Sequence, residues 1–411
     1  MGLVVQKFGG TSVATPERIR NVAQRIARTF RQGHQVVVVV SAMGHTTDQL
    51  IDLARQVTAR PPQRELDVLL ATGEQVSIAL VAMALAELGV EAISLTGSQV
   101  GIHTDGMFTR ARIRRISTER LHKELDARRV VVVAGFQGVT DHMDITTLGR
   151  GGSDTTAVAL AAALQADVCE IYTDVNGVYT ADPRVVPDAR LLPVISHSEM
   201  LEMASLGAVV LQPRSVELAA QHGVVIHVRS SFSEREGTRV VPEANLEKAM
   251  VVTGVTHDRN VAKVVIIDVP DRPGVAFRLF SELAAAGINV DMIVQTAKQQ
   301  ETTDLLFTVA RTDLDQTLAI AHRVSVELSA GEVRHDASVS KVSVVGAGMV
   351  SNPGVAARMF GALAGQGINI QAISTSEIKV SCLIDEARLE DAVQAVHQAF
   401  GLGATDEEQE A

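Results

Sequence analysis

The 411-residue chain has no tryptophan, two cysteines and 3% aromatic residues. With so few large rings, its cores must be built from Val, Ala, Leu and Ile. Cys169 and Cys382 are too few and too far apart for a disulfide framework, and neither stands in a CxxC pair. This usage is typical of a reducing compartment, so we expect a cytoplasmic protein.

Positive charge is also in short supply, with 37 Lys and Arg against 48 Asp and Glu, a formal charge of −11. A dedicated nucleic-acid binder would show a basic face, so we expect no nucleic-acid partner. The longest strongly apolar runs, such as VVVVV at 36–40, are far shorter than the ~20 residues of a membrane span. The N-terminus lacks the pattern of a signal peptide. No membrane association is therefore expected.

Several catalytic signatures are missing as well. There is no HExxH, no GxSxG and no GxGxxG after the first apolar run, and the histidines do not cluster with metal-ligand spacing. These absences argue against a zinc hydrolase, a serine hydrolase and a dinucleotide-binding enzyme, and they predict no metal site made by the protein alone.

In the first 245 residues, short β-branched runs alternate with longer stretches of helical period. The runs lie at 3–8, 35–42, 92–97, 129–136, 169–174 and 224–228. Continuous apolar strands indicate a sheet covered on both faces. Predicted helices include 15–30, where Thr15 before Pro16 suits an N-cap, and 153–166. The alternation predicts a doubly wound α/β layer with ligands at the carboxyl ends of the strands.

The rest of the chain contains a duplication, in which 263–295 matches 341–374 in order and pattern. Pro-Gly-Val at 273–275 recurs at 353–355, and the Gly-Ile-Asn that begins at 287 recurs at 367. Two copies indicate paired βαββαβ modules, since a solenoid needs more repeats. We place them at about 263–335 and 341–405, with 250–262 as a candidate source of a strand for the second. The boundary with the first part should fall within 232–249.

Two glycine clusters are the strongest chemical signals. KFGGTS (7–12) follows the first strand, where Gly amides and Lys7 could hold a phosphate, although a tight turn with a surface lysine would look the same. The lysine precedes the glycines, unlike in a P-loop. TTLGRGGSDTTA (146–157) opens a helix, and Arg150 there offers a fork for a carboxylate or phosphate. Asp154 could instead simply stabilise that helix.

Other candidates are weaker alone. YTDVNGVYTADPR (172–184) could hold a nucleotide, but an ordinary hairpin has the same turn chemistry. Ser41 and Thr47 follow the second strand. Glu74 lies in or before an apolar helix, either as a satisfied cap or as a partner for a ligand ammonium.

Together these motifs resemble the aspartate kinases of the amino acid kinase family, which phosphorylate the side-chain carboxylate of L-aspartate. The matching pieces are KFGGTS, VVVSAM, TGE, AGFQG, TTLGRGGSDTTA, YTDVNGVYTADPR and VRSSFS, in family order over about 3–233. The duplicated tail is similar to the paired ACT domains of that family. The resemblance implies a three-layer αβα kinase domain (1–245) and a regulatory region of two ferredoxin-like ACT domains (250–411).

The resemblance also implies roles for individual residues. Lys7 would stabilise the transferred phosphoryl group of ATP, with Mg²⁺ bridging the phosphates, and Asp154 would orient Lys7. Arg150 would pair with the α-carboxylate of aspartate and Glu74 with its ammonium. The other implied aspartate contacts are Ser41, Thr47, Gly152 and Ser153. The other implied ATP contacts are Phe8, Gly9, Gly10, Thr173, Asp174, Tyr179 and Arg184.

In the tail, the resemblance implies an amino-acid effector, lysine or threonine, bound where the ACT domains meet. The corresponding positions are Asp271, Asn289, Asp291, Gln295, Asn369, Ile370, Ser376 and Glu377. The alternative is that the Pro-Gly turns and helix-ending glycines around them merely build the module. ACT modules usually pair between chains, so a homo-oligomer is expected. Met250 is a candidate internal start for a separate regulatory subunit.

One departure concerns GAVVLQP (207–213), where the family usually has GAKVLHP with a basic residue toward the nucleotide phosphates. Here Val209 and Gln212 stand at those places, so either Arg214 or Arg184 compensates or ATP binding is weaker. Two alternatives remain open. One is a kinase for another carboxylate, such as glutamate or acetylglutamate, which the tandem tail disfavours. The other is a non-catalytic amino-acid sensor, which Val209 alone supports.

Overall fold

The computed structural model describes residues 2–208, 210–243, 251–297 and 302–403. They form two compact units. The first contains the described residues up to 178, then 191–205 and 210–243. The second contains 179–190, 206–208 and the described residues from 251 onward. Val209 and Met250 lie outside the described residues.

The first unit is built on an eight-stranded sheet in the order β10-β12-β11-β9-β1-β2-β6-β3. Its strands are β1 (Leu3–Phe8), β2 (Gln35–Val40), β3 (Ala92–Leu95), β6 (Val130–Ala134), β9 (Val168–Thr173), β10 (Val194–Ser196), β11 (Ile226–Ser230) and β12 (Thr238–Val241). All neighbouring pairs are parallel except β11 with β12. A smaller sheet, in the order β5-β4-β7-β8, consists of β4 (Ile102–Thr104), β5 (Ile113–Ile116), β7 (Gln137–Val139) and β8 (Ile145–Thr147).

Helices cover the large sheet. They are α1 (Pro16–Arg31), α2 (Thr46–Val57), α3 (Gln63–Glu87), α4 (Gly97–Val100), α5 (Glu119–Asp126), α6 (Gly152–Leu164), α7 (His197–Ser205) and α8 (Pro213–His222). At the start of α1, the Thr15 hydroxyl accepts a hydrogen bond from the Arg18 amide at 3.3 Å, and Pro16 occupies the first turn. Alternate residues of β2, such as Val36 and Val38, join α1 and α3 in one fully buried aliphatic core. Helix α6 packs on β1, β2 and β9.

Helix α3 has 25 residues and is long and apolar enough, by length and composition alone, to cross a membrane. This helix is longer than any of the continuous apolar runs in the sequence because polar residues such as Asp67 and Glu74 interrupt it. In the structure α3 packs against α1, β3, β6 and β8, and the carboxylates of Asp67 and Glu74 are buried on it. These contacts identify α3 as a core helix of the first unit. The cytoplasmic location stays a prediction.

The second unit contains two four-stranded sheets, each covered by two helices. The first module is β14 (Ala262–Pro270), α9 (Val275–Ala285), β15 (Val290–Ala297), β16 (Thr302–Val309), α10 (Leu314–Leu328) and β17 (Val333–Asp336). The second is β18 (Val339–Val345), α11 (Val355–Gly365), β19 (Ala372–Thr375), β20 (Lys379–Asp385) and α12 (Leu389–Ala399). The sheet orders are β15-β16-β14-β17 and β13-β18-β20-β19, where β13 is Gly254–Asp258.

The second module takes its fourth strand from before the first. Strand β13 pairs antiparallel with β18 just as β17 pairs with β14. The second module is therefore built from residues on both sides of the first module in the sequence. Residues 179–190 also enter this unit, because Ala181, Val186 and Ala189 are buried in the core of the second module. Within that core the Thr180 hydroxyl lies 2.9 Å from His397 Nε2.

The expected fold class, an α/β layer followed by two βαββαβ modules, is confirmed. The strands and helices named above from the sequence are present. The features that were not anticipated include β10, the small sheet β5-β4-β7-β8, and β12, which lies inside the predicted 232–249 boundary yet belongs to the eight-stranded sheet. The domain boundaries themselves stay a prediction.

Candidate active site

Lys7 and Asp154 form the centre of the candidate site. Lys7 lies near the carboxyl end of β1, which is hydrogen-bonded to β2 and β9. Its Nζ atom is 2.6 Å from Asp154 Oδ1, in the first turn of α6, and both side chains are about nine-tenths buried. A buried charge is tolerated when it is paired. The ion pair therefore holds the Lys7 ammonium in one position.

The backbone after Lys7 makes a close turn. The Gly9 amide donates to the Tyr172 carbonyl at 3.3 Å, and the Gly44 amide donates to the Gly10 carbonyl at 3.0 Å. A Cβ atom on Gly10 would lie 2.9 Å from the Ala42 carbonyl oxygen. Glycine is thus required at position 10 because two backbone segments meet there.

The second glycine cluster positions the start of α6. Gly151 has φ of +68°, a left-handed conformation that favours glycine, and it immediately precedes the helix. Ser153, in the first turn, accepts a 2.9 Å hydrogen bond from the Ser41 hydroxyl at the end of β2. The amides and dipole of this 13-residue helix thus face the region of Lys7. That arrangement favours an anion.

Glu74 provides an acidic side chain in the same region. Its side chain on α3 is 2% exposed. Oε1 accepts a hydrogen bond from the Ala42 amide at 3.2 Å, while buried Oε2 has no hydrogen-bond partner among the described residues. Burial raises the pKa of Glu74 to about 8, although the Ala42 bond lowers it slightly. A buried carboxyl with an unsatisfied oxygen is suited to a ligand cation.

These groups line one cavity of about 530 Å³ in the first unit. Ten residues expected from the sequence line it: Lys7, Gly9, Gly10, Ser41, Thr47, Glu74, Arg150, Gly152, Ser153 and Asp154. Lys7 and the amides suit a phosphoryl group, whereas Glu74 and the exposed Arg150 suit the ammonium and carboxylate of an amino acid. The cavity therefore contains the groups needed by a phosphoryl donor and an amino-acid acceptor.

Other expected residues lie elsewhere. Phe8 is fully buried and stacks on Tyr172, with ring centroids 4.7 Å apart. Thr173 and Asp174 follow at the carboxyl end of β9, next to β1, but are not among the described residues that line the cavity.

Tyr179 and Arg184 belong to the second unit. There Tyr179 packs against the core of the second module, and Arg184 pairs with Asp182 at 2.7 Å. Arg214, the other suggested substitute for the missing cation, donates hydrogen bonds to the carbonyls of Leu148 and Ala111. Both arginines thus have protein partners.

The sequence analysis missed several residues that line the cavity. They are Asp48, Ile51, Leu66, Leu70, Thr109, Phe136, Thr147, Gly149, Gly151 and Gln212. Phe136, Thr147, Gly149, Gly151 and Gln212 stood in quoted motifs but were not selected as site residues. Thr109 and Phe136 have positive φ, +67° and +69°, which is rare for such residues and not readable from sequence.

A second cavity, of about 350 Å³, lies in the first module of the second unit. It is lined by the turn after β14 and by residues of β15 and β16, including the expected Asp271 and Gln295. Arg272 and Thr303, which were not anticipated, also line it. Its mixture of charged and polar groups suits a small zwitterion.

The remaining effector candidates are placed differently. Asp291 forms an ion pair with Lys341 of the second module, whose side chain is 3% exposed. Asn289, Asn369, Ser376 and Glu377 are exposed, and Ile370 packs against the core of the second module. A pair related by the duplication, Lys263 with Gln371, also joins the two modules.

Comparison with known proteins agrees with this geometry. The model of the amino acid kinase family matches residues 2–230, and ACT-domain models match 263–325 and 342–400. An aspartokinase of Bacillus sp. (strain MGA3) is 53% identical over 405 residues, covering 98% of each chain.

Two solved structures of E. coli aspartokinase III, each 27% identical to this chain, also match. The structure with aspartate and ADP (R-state) has a TM-score of 0.82 and covers 97% of this chain and 100% of its own. The structure with lysine and aspartate (T-state) has a TM-score of 0.75 and covers 97% and 99%.

The chain belongs to the amino acid kinase family and carries two ACT domains in its second part. Such an architecture defines an allosterically regulated phosphotransferase. Within the family the chain is an aspartate kinase, an enzyme whose phosphoryl acceptor is a carboxyl group.

Proposed function

We propose that the enzyme uses ATP to phosphorylate the side-chain carboxylate of L-aspartate, giving 4-phospho-L-aspartate and ADP. This would be the first step toward lysine, threonine and methionine. The observation that carries the proposal is a single cavity containing both the buried Lys7–Asp154 pair and the unsatisfied Glu74 carboxyl. The aspartate and ADP named for the E. coli relative support the substrates.

The chemistry needs positioning more than acid–base help. The aspartate side chain, with a pKa near 3.9, is already ionised at neutral pH. Its oxygen forms a bond to the γ-phosphorus while the bond from that phosphorus to the bridging oxygen breaks, and ADP leaves. The protein's task is to align the two anions and to neutralise the charge on the transferred group.

Each side of the cavity serves one substrate in this proposal. Lys7 Nζ, held by Asp154, contacts the oxygens of the transferred phosphoryl group together with the Gly10 amide. Gly9, whose own amide donates to the Tyr172 carbonyl, lets the phosphate approach without a Cβ in the way. Arg150 forms a forked contact with the α-carboxylate of aspartate. The contacts of the acceptor are completed by Glu74, Ser41, Thr47, Gly152 and Ser153.

Mg²⁺ would bind mainly through the phosphates of the nucleotide. Among the described residues no group of three or more His, Cys, Asp or Glu side chains could hold a metal. Mg²⁺ commonly binds through substrate phosphates with only one or two carboxylates. Exposed Asp174, which follows β9 beside β1, is the carboxylate we assign to this role. When bound, the ion would neutralise phosphate charge.

The remaining nucleotide contacts proposed from the resemblance are Phe8, through its backbone because its ring is buried, and Thr173, Tyr179 and Arg184. A substitution at Val209 can test whether a cation that contacts the nucleotide phosphates is missing. If a lysine there normally contacts phosphates, Val209→Lys should lower the KM for ATP severalfold and leave the KM for aspartate unchanged. An unchanged KM for ATP would show that nothing is missing at this position.

For regulation, we assign the cavity lined by Asp271 and Gln295 to an amino-acid effector, either lysine or threonine. The lysine named for the E. coli T-state structure supports this class of ligand. Asp291, Asn289, Asn369, Ile370, Ser376 and Glu377 remain candidates for the surface where ACT modules meet. Assembly into a homo-oligomer through those modules, and a shorter subunit starting near Met250, also belong to the proposal.

One assay separates the substrate alternatives. The acyl phosphate is trapped with hydroxylamine in the presence of ATP, Mg²⁺ and either aspartate, glutamate or acetylglutamate, with and without lysine and threonine. We expect hydroxamate from aspartate only, reduced by at least one effector. A signal from glutamate alone would refute the proposed acceptor, and no signal with any acid would favour a non-catalytic sensor.

A further inference from the structure

Two charged side chains outside the sequence motifs hold the wall of the acceptor pocket from opposite sides. One is Asp67, on the second turn of α3, whose side chain is fully buried. The other is Arg214, at the start of α8. Neither is among the described residues that line the cavity, so neither is placed to contact a substrate.

The wall consists of two segments, 109–111 and 147–148. They are joined directly by a 2.9 Å hydrogen bond from the Ala111 amide to the Thr147 carbonyl. The second segment leads through Gly149 into Arg150, so its position determines where Arg150 starts.

Asp67 accepts hydrogen bonds from backbone amides of both segments. The amides of Thr147 and Thr109 donate to Asp67 Oδ2 at 2.8 and 2.9 Å, and the Thr147 hydroxyl donates to Oδ1 at 2.6 Å. Three donors converge on one carboxylate, which is more than helix stability requires. Burial raises the pKa of Asp67, while these three bonds lower it.

Arg214 takes the C=O side of the same segments. Its two terminal nitrogens donate to the carbonyls of Leu148 at 3.0 Å and Ala111 at 2.9 Å. The planar guanidinium fork fits two carbonyls at once. Asp67 therefore accepts from the amides, and Arg214 donates to the carbonyls, of the same two segments.

The backbone held in this way is strained. Thr109 is β-branched yet has φ of +67°, a conformation that persists only where surrounding contacts enforce it. Its carbonyl oxygen would lie 3.1 Å from a Cβ on Gly149. The Asp67 bond to the Thr109 amide is one such enforcing contact, and both Thr109 and Gly149 line the cavity.

We propose that Asp67 and Arg214 are positioning residues that set the acceptor pocket by clamping segments 109–111 and 147–148 beneath the Arg150 turn. The inference rests on the proposed role of that turn in binding aspartate. Because Lys7 and the turn at Gly9 and Gly10 belong to β1 and the residues after it, which make no hydrogen bond to Asp67 or Arg214, the clamp should affect the acceptor and spare ATP.

The test compares steady-state constants of folded variants. Asp67→Asn keeps the shape but removes the charge and replaces one of the two accepting oxygens with an NH2 group, which can only donate. We expect the KM for aspartate to rise about tenfold or more, with the KM for ATP unchanged and kcat lowered less than threefold. Arg214→Lys, which keeps the charge and loses the fork, should give the same pattern.

Glu124→Gln is the matched control. Glu124 is also a buried carboxylate of the first unit, 3% exposed, but it pairs with Arg120 and Arg129 on α5 and after it. Its loss should lower the melting temperature without changing either KM. If Asp67→Asn and Arg214→Lys behave like Glu124→Gln, the two residues are merely structural and the inference is wrong.

The variant Arg150→Ala distinguishes a failure of the proposed acceptor site from a failure of the clamp. If it leaves the KM for aspartate unchanged, the proposed acceptor site fails and the clamp fails with it. If it raises that KM while Asp67→Asn and Arg214→Lys do not, the site stands and only the clamp is refuted. Should Asp67→Asn not fold, Arg214→Lys alone decides.

Discussion

The protonation of Glu74 should control how well the enzyme captures aspartate. With a pKa of about 8, the carboxyl is about one-hundredth ionised at pH 6, about one-tenth at pH 7 and half at pH 8. Only the ionised form pairs with the substrate ammonium. If capture requires that form, kcat/KM for aspartate rises about fiftyfold between pH 6 and pH 8 and then levels off.

The pH dependence of stability has the opposite sign to that of aspartate capture. Glu74 is protonated in the empty folded site up to about pH 8, whereas in the unfolded chain it ionises near its ordinary pKa of 4.5. Between these values the unfolded state binds fewer protons, so the free energy of unfolding falls as the pH rises. The loss is on the order of 5 kcal/mol across the whole window. Bound aspartate should offset it by favouring the ionised form.

The assay is kcat/KM for aspartate at saturating ATP from pH 6 to 9, together with thermal unfolding over the same range. Glu74→Gln is the control, because it removes this titration and leaves every other group in place. We expect that variant to lose about a hundredfold in kcat/KM and to show a flattened profile, with greater stability at pH 8 than the unaltered chain. A wild-type profile that changes less than twofold from pH 6 to 8 would refute the reasoning.

Three further predictions concern other parts of the molecule. Lys7→Ala should lower kcat by 10²–10³ or more while the circular dichroism spectrum is unchanged, because the lysine acts mainly on transition-state charge; normal turnover would remove Lys7 from the mechanism. Gly10→Ala should impair folding and activity because its Cβ meets the Ala42 carbonyl at 2.9 Å, whereas Gly9→Ala, with no atom nearer than 3.4 Å, should fold normally. Equal melting temperatures for the two would contradict this. Asp271→Ala should weaken inhibition by lysine or threonine severalfold at unchanged kcat, and undiminished inhibition would place the effector elsewhere.

Local sequence signals located much of the candidate site. Strand–turn–helix boundaries are marked by glycines and by a capping threonine, whose conformational preferences act within a few residues. Lys7, Gly10, Ser41, Arg150 and Asp154 could therefore be placed at strand and helix ends, and the structure brings them to one cavity. Choosing between a phosphate loop and a plain turn required the resemblance to a family.

Asp67 and Thr109 stand in no quoted motif and depend on contacts across long chain separations. Asp67 is 42 residues from Thr109 and 80 from Thr147, so no local pattern indicates that its carboxylate is shared between them. The positive φ angles of Thr109 and Phe136 are likewise enforced by tertiary hydrogen bonds and are not a preference of those residues.

By itself, the sequence determined the alternation of strands and helices, the two glycine turns and the duplicated modules, because periodicity, glycine and repetition act locally. Tertiary structure alone decided that residues 179–190 join the second module's core, whereas the strand β13 that completes that module's sheet lies within the segment 250–262 that the sequence had offered as a candidate. It also decided that Glu74 is buried with one oxygen unsatisfied. Burial and long-range pairing decide these properties, since the free energy of an apolar or charged group depends on what the folded chain places around it.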